Sequence, residues 1–307
     1  MAARLRGAGG EEGTVTTLNT AHSAAMAAQR YNLPDSFIPR YTLEEIRAFV
    51  GGFPWGLDHM FRALPPRLSL HGKRVLDLGC GVTLQALELI EKRHVAEYHG
   101  IDPDPDTFWG GHNDYDHYVG YKHAFAFYYP ERVAFYNSIS EHMPFPDNYF
   151  DFAFASQTTE HVQDIAAMCE EVHRVLKPGA YFYATHHNFY AWDGHHQGPY
   201  FVKDLPNCSP EQMQFQHWRH IDMERDWSEP HHLNRVTLRE LEAAFRASLR
   251  VVTWNNSYTQ PERGLDFLTD EILSELAGRY DYEDLATTMI EVVAKKDCAH
   301  ASARLRS

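Results

Sequence analysis

No apolar run in the sequence approaches the ~20 residues of a membrane-spanning helix, so bilayer insertion is not expected. Positive charge is in short supply, with 28 Lys and Arg against 42 Asp and Glu and a formal net charge of −14, whereas a nucleic-acid surface shows a basic stripe. Acidity of this kind serves solubility and does not by itself name a cationic partner. Cysteine is scarce, and Cys80, Cys169, Cys208 and Cys298 stand far apart, without the paired spacings of a disulfide framework or a zinc site. That usage suits a reducing compartment. Residues 1–13 lack the apolar centre of a secretion signal, and the expectation is a cytoplasmic protein. Internal repeats are also missing, and the sequence says nothing of oligomeric state.

What is present is an ordinary soluble composition, 44% hydrophobic and 23% charged, in 307 residues, enough for one large domain with an insertion. Aromatics at 13% and 20 histidines stand out, many of the histidines lying between residues 186 and 232. Residues 1–13, rich in Gly, Ala and Arg, read as a disordered leader. Residues 14–72 read as an N-terminal helical cap. Its best helix is Tyr41–Val50, with Thr42 as N-cap, Glu45 three residues on, and Gly51 and Gly52 as the stop. Residues 56–64 suggest a second, shorter helix ahead of Pro65 and Pro66.

From Lys73 the pattern alternates. Strands are expected at 74–79, 97–102, 132–138, 150–156 and 180–186, with helices at 83–93, 118–128 and 163–176. Alternation of this kind argues for a mostly parallel sheet covered on both faces. It lapses over 188–236, an inserted segment, and resumes across 237–297 with a helix from Thr237, a strand at 250–257, a helical pattern at 265–278 and a last strand at 288–295. Residues 298–307 read as a tail.

The most informative stretch is Arg74–Gly81. Val75, Leu76 and Leu78 form a short buried strand, Gly79 and Gly81 follow where it ends, and a helical pattern opens at Leu84. A strand that breaks on glycines and opens a helix brings backbone N–H groups close to a ligand. Asp77 precedes the glycines and Asp102 ends the next apolar run, 102 − 77 = 25 residues on. That is close to the ~20 expected when a second-strand carboxylate takes the ribose hydroxyls of a nucleotide-like ligand.

Further along, Met143–Ser156 is a turn running into a buried strand, Thr159–Val162 sits at that strand's carboxyl end, and Arg174–Gly179 ends a helix and turns into the next strand. With Val75–Gly81 and Asp102, this series resembles the class I S-adenosylmethionine-dependent methyltransferases, in the branch of mostly small-molecule enzymes. The likeness covers residues 73–187 well and the final strand loosely. It implies an α/β, Rossmann-like, doubly wound sheet of seven strands with the last antiparallel and ligand at the carboxyl ends of the first strands. It also implies S-adenosylmethionine as cofactor. Asp77, Gly79 and Gly81 would hold the methionine end, Asp102 would accept both ribose hydroxyls, and Gln157 would face the amino-acid part. Two departures stand out. Thr83 occupies a usual third glycine, and Ile139 replaces a frequent adenine-binding acid, leaving adenine to apolar packing and backbone around Ser138–Glu141, including Ser140 and Glu141.

Methyl transfer to a hydroxyl needs a base for the departing proton, a role histidine suits near neutral pH. The candidates are His161, beside Glu160 at the edge of the substrate space; His186 and His187, ending the fifth core strand; and His196, next to His195 in the following loop. No compact metal signature appears, and no metal ligand is assigned. The alternative is His217 and His220 at i, i+3 spacing with Asp222 or Glu224. The aspartates Asp104, Asp106 and Asp114 in 103–117 suggest a loop that closes over the cofactor. The polar, aromatic, His-rich insertion points to O-methylation of a polar small molecule, such as a sugar or glycan unit. N- or C-methylation of a small metabolite, and a protein that binds the cofactor without methylating, remain as alternatives.

Overall fold

The expected alternation is the architecture found in a computed structural model, which describes residues 23–51, 57–81, 84–103, 116–227, 232–276 and 278–298. The leader at 1–13, Thr83, His231, nearly all of the 103–117 loop and all but the first residue of the tail lie outside the described residues.

Helix α1 (23–29) leads to α2 (Leu43–Gly51) and α3 (Asp58–Ala63). The reciprocal cap expected for α2 is formed: the Glu45 carboxylate accepts from the Thr42 N–H at 2.8 Å, and the Thr42 hydroxyl accepts from the Glu45 N–H at 3.3 Å. The core then runs β1 (Arg74–Leu78), α4 (Leu84–Leu87), β2 (Glu97–Asp102), α5 (Asp116–Tyr128), β3 (Val133–Asn137), β4 (Phe150–Ala155), α6 (Ile165–Val175) and β5 (Leu176–His187). The helix expected at 83–93 widens after α4 into a π-helical stretch over Glu88–Lys92. The inserted segment carries α7 (Pro210–Met213). The chain continues with α8 (Leu238–Ser248), β6 (Arg250–Tyr258), α9 (Asp270–Leu276), α10 (Tyr282–Ala286) and β7 (Thr287–Lys295).

Among the described residues seven strands form one sheet in the order β3-β2-β1-β4-β5-β7-β6. The pairs from β3 to β5 are parallel, and β7 runs antiparallel to both β5 and β6. Because consecutive residues of a strand point to opposite faces, Leu76, Leu78, Ala153 and Phe182 pack with α6 and α8 (Met168, Val172, Leu241, Phe245). Val75, Tyr98, Phe152, Phe154 and Tyr183 pack on the other side with Ile46, Met60 and Phe125. Burial on both faces explains why these strands read as continuous apolar runs instead of alternating ones.

A third cluster lies beyond the sheet. Phe189, Tyr190, Trp192, Phe215, Trp218 and Trp227 come from the inserted segment and close over Leu276 and Leu285. The aromatic richness of the insertion is therefore spent largely on a small core of its own. The helical pattern expected at 265–278 is broken: a short turn at Leu265–Phe267 precedes α9, and this broken stretch supplies that core's other wall.

Candidate functional site

The strand ends at the carboxyl edge of the sheet bring two groups of residues together. The first is the glycine turn after β1. Gly79 lies at φ +65°, and a Cβ there would fall 2.1 Å from Thr158 Cγ2, so the position tolerates no side chain. Cys80 N–H donates to the Ile101 carbonyl at 2.9 Å, and Gly81 N–H donates to Asp102 Oδ2 at 3.0 Å. Register places Asp77 opposite Gly100, so the turn and the end of β2 lie side by side. Lys122 of α5, only 2% exposed, donates from Nζ to the Gly81 carbonyl at 3.0 Å and pins the turn from below.

Asp77 is buried and accepts a 2.5 Å hydrogen bond from the Tyr98 hydroxyl. Burial pushes its carboxyl up to about 7; the Tyr98 hydrogen bond and the Lys122 charge oppose the shift, and Asp102 adds to it. After β3, Ser138 N–H donates to the Asp102 carbonyl at 3.2 Å, and Ser140 donates from Oγ to Glu141 Oε2 at 3.1 Å. Glu141 Oε1 accepts from the Gln163 and Asp164 N–H groups at 3.0 and 3.3 Å, tying this edge to the start of α6. Ile139 leaves 48% of its surface open there. Gln157, just past β4, has a left-handed backbone (φ 52°), an exposed side chain, and an N–H donated to Thr185 Oγ1 at 2.8 Å.

This arrangement fits a nucleoside-bearing sulfonium. Bare backbone stands at the glycine turn, a carboxylate ends the neighbouring strand, and a second carboxylate lies buried between them, where a cationic ligand would favour its ionised form.

The second group lies beside the first, because Thr158, which abuts Gly79, is followed at once by Thr159–His161. Ala155 pairs with Ala184, so Thr185–His187 run beyond the end of β4 and meet that turn. His186 and His187 then part. His186 is buried with Nδ1 3.0 Å from the Thr159 hydroxyl, and burial drives its pKa down to about 3. His187 turns to the other side, with Nδ1 2.6 Å from His196 Nε2 and Nε2 3.3 Å from Asp193 Oδ1. The turn that delivers Asp193 and His196 depends on Gly194, where a Cβ would fall 2.2 Å from the Asn188 carbonyl oxygen. Burial alone would raise Asp193, but His187 and Arg263 hold it well below the carboxylate range, and Thr288 donates to its Oδ1 at 2.9 Å.

His161 faces the same space, its ring centroid 5.3 Å from that of His196. Its Nδ1 lies 2.7 Å from the His232 carbonyl, which can only accept, so Nδ1 carries the proton. Glu160 is 2% exposed, its Oε2 meets no donor, and burial pushes it up to about 7 against the charge of His187. Three of the four histidines singled out in the sequence thus share one small region, and His186 stands behind it.

The alternative metal set is not assembled. His217 and Trp218 have left-handed backbones (φ 57° and 61°), which break the helix that would align His217 with His220. His220 is buried between the Phe215 and Phe189 carbonyls at 3.2 and 2.9 Å, and Asp222 is paired with Arg279 at 2.6 Å. Tyr98, Lys122, Asp193, Arg263 and Thr288 belong to the site and went unmarked in the sequence. Only Asp193 had a local cue, its place between Trp192 and Gly194.

Residues 76–184 match the family model described as "Methyltransferase domain". The chain is similar to a sterol 24-C-methyltransferase of Aspergillus fumigatus, at 32% identity over 36% of this chain and 27% of that protein. It is also similar to a fatty-acid O-methyltransferase of Mycolicibacterium smegmatis, at 27% identity over 41% of each. The chain therefore spans little more than a quarter (27%) of the length of that sterol relative. Among solved structures, an S-adenosylmethionine-dependent methyltransferase from Listeria monocytogenes superposes with a TM-score of 0.49 at 14% identity, over 79% of this chain and 98% of that one.

Proposed function

We propose, from the premise that residues 76–184 form a class I S-adenosylmethionine-dependent methyltransferase domain, that the protein methylates a hydroxyl of a polar small molecule, with a sugar or glycan unit as the acceptor class. The observation that carries the hydroxyl reading is the convergence of His187 and His196 on Glu160, with the His161 ring against that of His196, next to the glycine turn. A hydroxyl must lose its proton as it is methylated, and this is the part of the cleft equipped to take one.

When bound, S-adenosylmethionine supplies a methyl group on a positively charged sulfur, so alignment of the acceptor is a large part of the catalysis. Asp77, Gly79, Gly81 and Gln157 hold its amino-acid end. Asp102 takes the ribose, and Ser140 and Glu141 border the adenine. Thr83 completes that set by sequence. His161 is the base: with Nδ1–H committed to the His232 carbonyl, Nε2 accepts the acceptor's proton as the new bond to carbon forms. His187 and His196 contact the acceptor from the end of β5 and the turn after it. His186 positions the 159–161 segment through Thr159.

A carbohydrate acceptor is favoured by two flat rings beside this polar rim. Tyr200 and Phe201 are 41% and 40% exposed; the Tyr200 hydroxyl donates to the His196 carbonyl, and Phe201 lies under Arg263, the partner of Asp193. Exposed rings next to hydrogen-bonding groups suit a sugar's apolar face and hydroxyls. A second reading, transfer to carbon of a lipid-like acceptor, draws on the name of the sterol relative.

The test is transfer of a tritiated methyl group to sugars, nucleotide sugars, phenols, a sterol and a fatty acid, and to a fractionated metabolite extract. Label in an ether linkage of a sugar supports the proposal. Label confined to the sterol or the fatty acid overturns it. Calorimetry with S-adenosylhomocysteine checks the premise: Asp102→Ala that binds like the unaltered protein would sink the cofactor assignment.

A further inference from the structure

Glu160, His187 and His196 do more than crowd together. Each offers one ligand-type atom, and these atoms all lie within 4.8 Å of one another. They arrive on three separate pieces of chain: the turn after β4, the last residue of β5, and the turn held tight at Gly194. Nothing in the sequence spacing announces the set, which depends on strand register.

Hydrogen-bond direction sharpens the case. The Asp193 carboxylate only accepts, so the His187 Nε2 facing it carries the ring proton, and Nδ1 presents a lone pair. That lone pair points at His196 Nε2, 2.6 Å away. Beside them Glu160 Oε2 is buried with no donor, an arrangement that is costly for the ionised group unless a cation or a proton stands there. Behind the group, Asp193 is fixed by Arg263 and by the Thr288 hydroxyl. A carboxylate on the far nitrogen of a histidine is how ligand histidines are held in one tautomer and made more basic. The left-handed backbone of His196 (φ 54°) is the kind of local strain that collects at functional positions.

We propose that Glu160, His187 and His196 bind one divalent transition-metal ion on the acceptor side of the cleft. Two imidazoles and a carboxylate suit zinc, iron or manganese, and suit magnesium or calcium poorly, since those prefer all-oxygen shells. Three protein ligands leave a position open for an outside oxygen. An acceptor hydroxyl bound there becomes a stronger acid, and His161 remains to take its proton. That role in methyl transfer rests on the function proposed above; the ion site itself does not.

The competing occupant is a proton shared by His187 and His196, and the two are separable. Protein without a polyhistidine tag, stripped by chelation, is titrated with Zn²⁺ by calorimetry, and the visible spectrum of the Co²⁺ form reports the ligand set. The expectation is one ion per chain, with Asp193→Asn weakening binding roughly 10–100-fold and Glu160→Gln and His196→Ala each weakening it more. S-adenosylhomocysteine binding by the same samples checks that the variants are folded, and His196, less buried than Glu160, supplies the gentler substitution. Absence of binding by the unaltered protein overturns the proposal. So does equal zinc affinity in the Glu160→Gln/His196→Ala double variant, which would place the ion on other histidines. Zinc bound at the expected residues without cofactor binding would remove the methyltransferase reading and leave the site; cofactor binding without zinc would do the reverse.

Discussion

The adjacent pairs His186–His187 and His195–His196 each divide between two environments, and the division separates packed histidines from the candidate chemical set. His186, His195 and His220 are buried, and burial drives them down to about 3, 3 and 4. Their rings belong to the packing: His195 stacks on Phe215, and His220 lies edge-on to Phe189 and Trp227. His161, His187 and His196 are partly open; His187 and His196 gather on one buried carboxylate, and His161 lies against His196. Neighbours in sequence thus differ more than residues 71 positions apart, such as His161 and His232, which are joined by a hydrogen bond. A histidine-rich segment is consequently not a histidine-rich site. His195 and His220 pack within the inserted segment, and His186 is tied to Thr159 instead.

The sharpest way to break this comparison is to remove one member of each set. His161→Ala should lower kcat by roughly 10²–10⁴, the contribution of a positioned base, with little change in affinity for S-adenosylhomocysteine; single-turnover methyl transfer and calorimetry measure the two. An unaltered kcat would move the base elsewhere. His220→Ala should act on stability, costing about 2–4 kcal/mol through a cavity and an orphaned buried carbonyl. Denaturant unfolding reads that loss, and activity per folded molecule should survive.

Asp77 tests whether the buried acids belong with the chemical set. Its carboxyl stands at about 7 when folded against an ordinary 3.8. Between those values the unfolded chain is ionised while the folded chain keeps its proton, so stability is lost as pH rises through the window and no more is lost above about 7. Asp77→Asn should therefore be more stable than the unaltered protein by on the order of 1–2 kcal/mol at pH 8, with the gain shrinking toward pH 4. It should also bind cofactor more weakly. A gain independent of pH would show that burial of the charge is not the cause. The smallest effect is expected at His217, half-buried against Phe267: His217→Ala should change stability by no more than about 0.5 kcal/mol and leave zinc affinity untouched.

The parallel part of the sheet was legible because β1 to β4 are buried on both faces and α6 and α8 are amphipathic. The strand expected at 97–102 is β2, and the helix expected from Thr237 is α8. The glycine turn and Asp102 were legible because the separation of strand ends sets the separation of the motifs. Lys122 was not, since only the packing of α5 against the turn after β1 decides which of its residues lies beneath Gly81. The Glu160 cluster was hidden for a related reason. It depends on the Ala155–Ala184 register and on a turn whose tightness shows only when Gly194 is seen against the Asn188 carbonyl. The i, i+3 reading of His217 and His220 presumed a helix that two left-handed residues interrupt.

The placement of β7 has a consequence for how the chain is made. Among the described residues β6 pairs only with β7, and β7 lies between β5 and β6. A ribosome releasing the chain from its N-terminus delivers β6 well before the strand it needs, and during that interval β6 has no sheet to join. The same late strand brings Thr288, whose hydroxyl steadies Asp193 and whose carbonyl receives the Asn188 N–H at 3.0 Å. The glycine turn, built from β1 and β2, can close early in synthesis, whereas the histidine rim waits for residue 288. Cofactor binding should therefore emerge before methyl transfer in a series of chains arrested at increasing length.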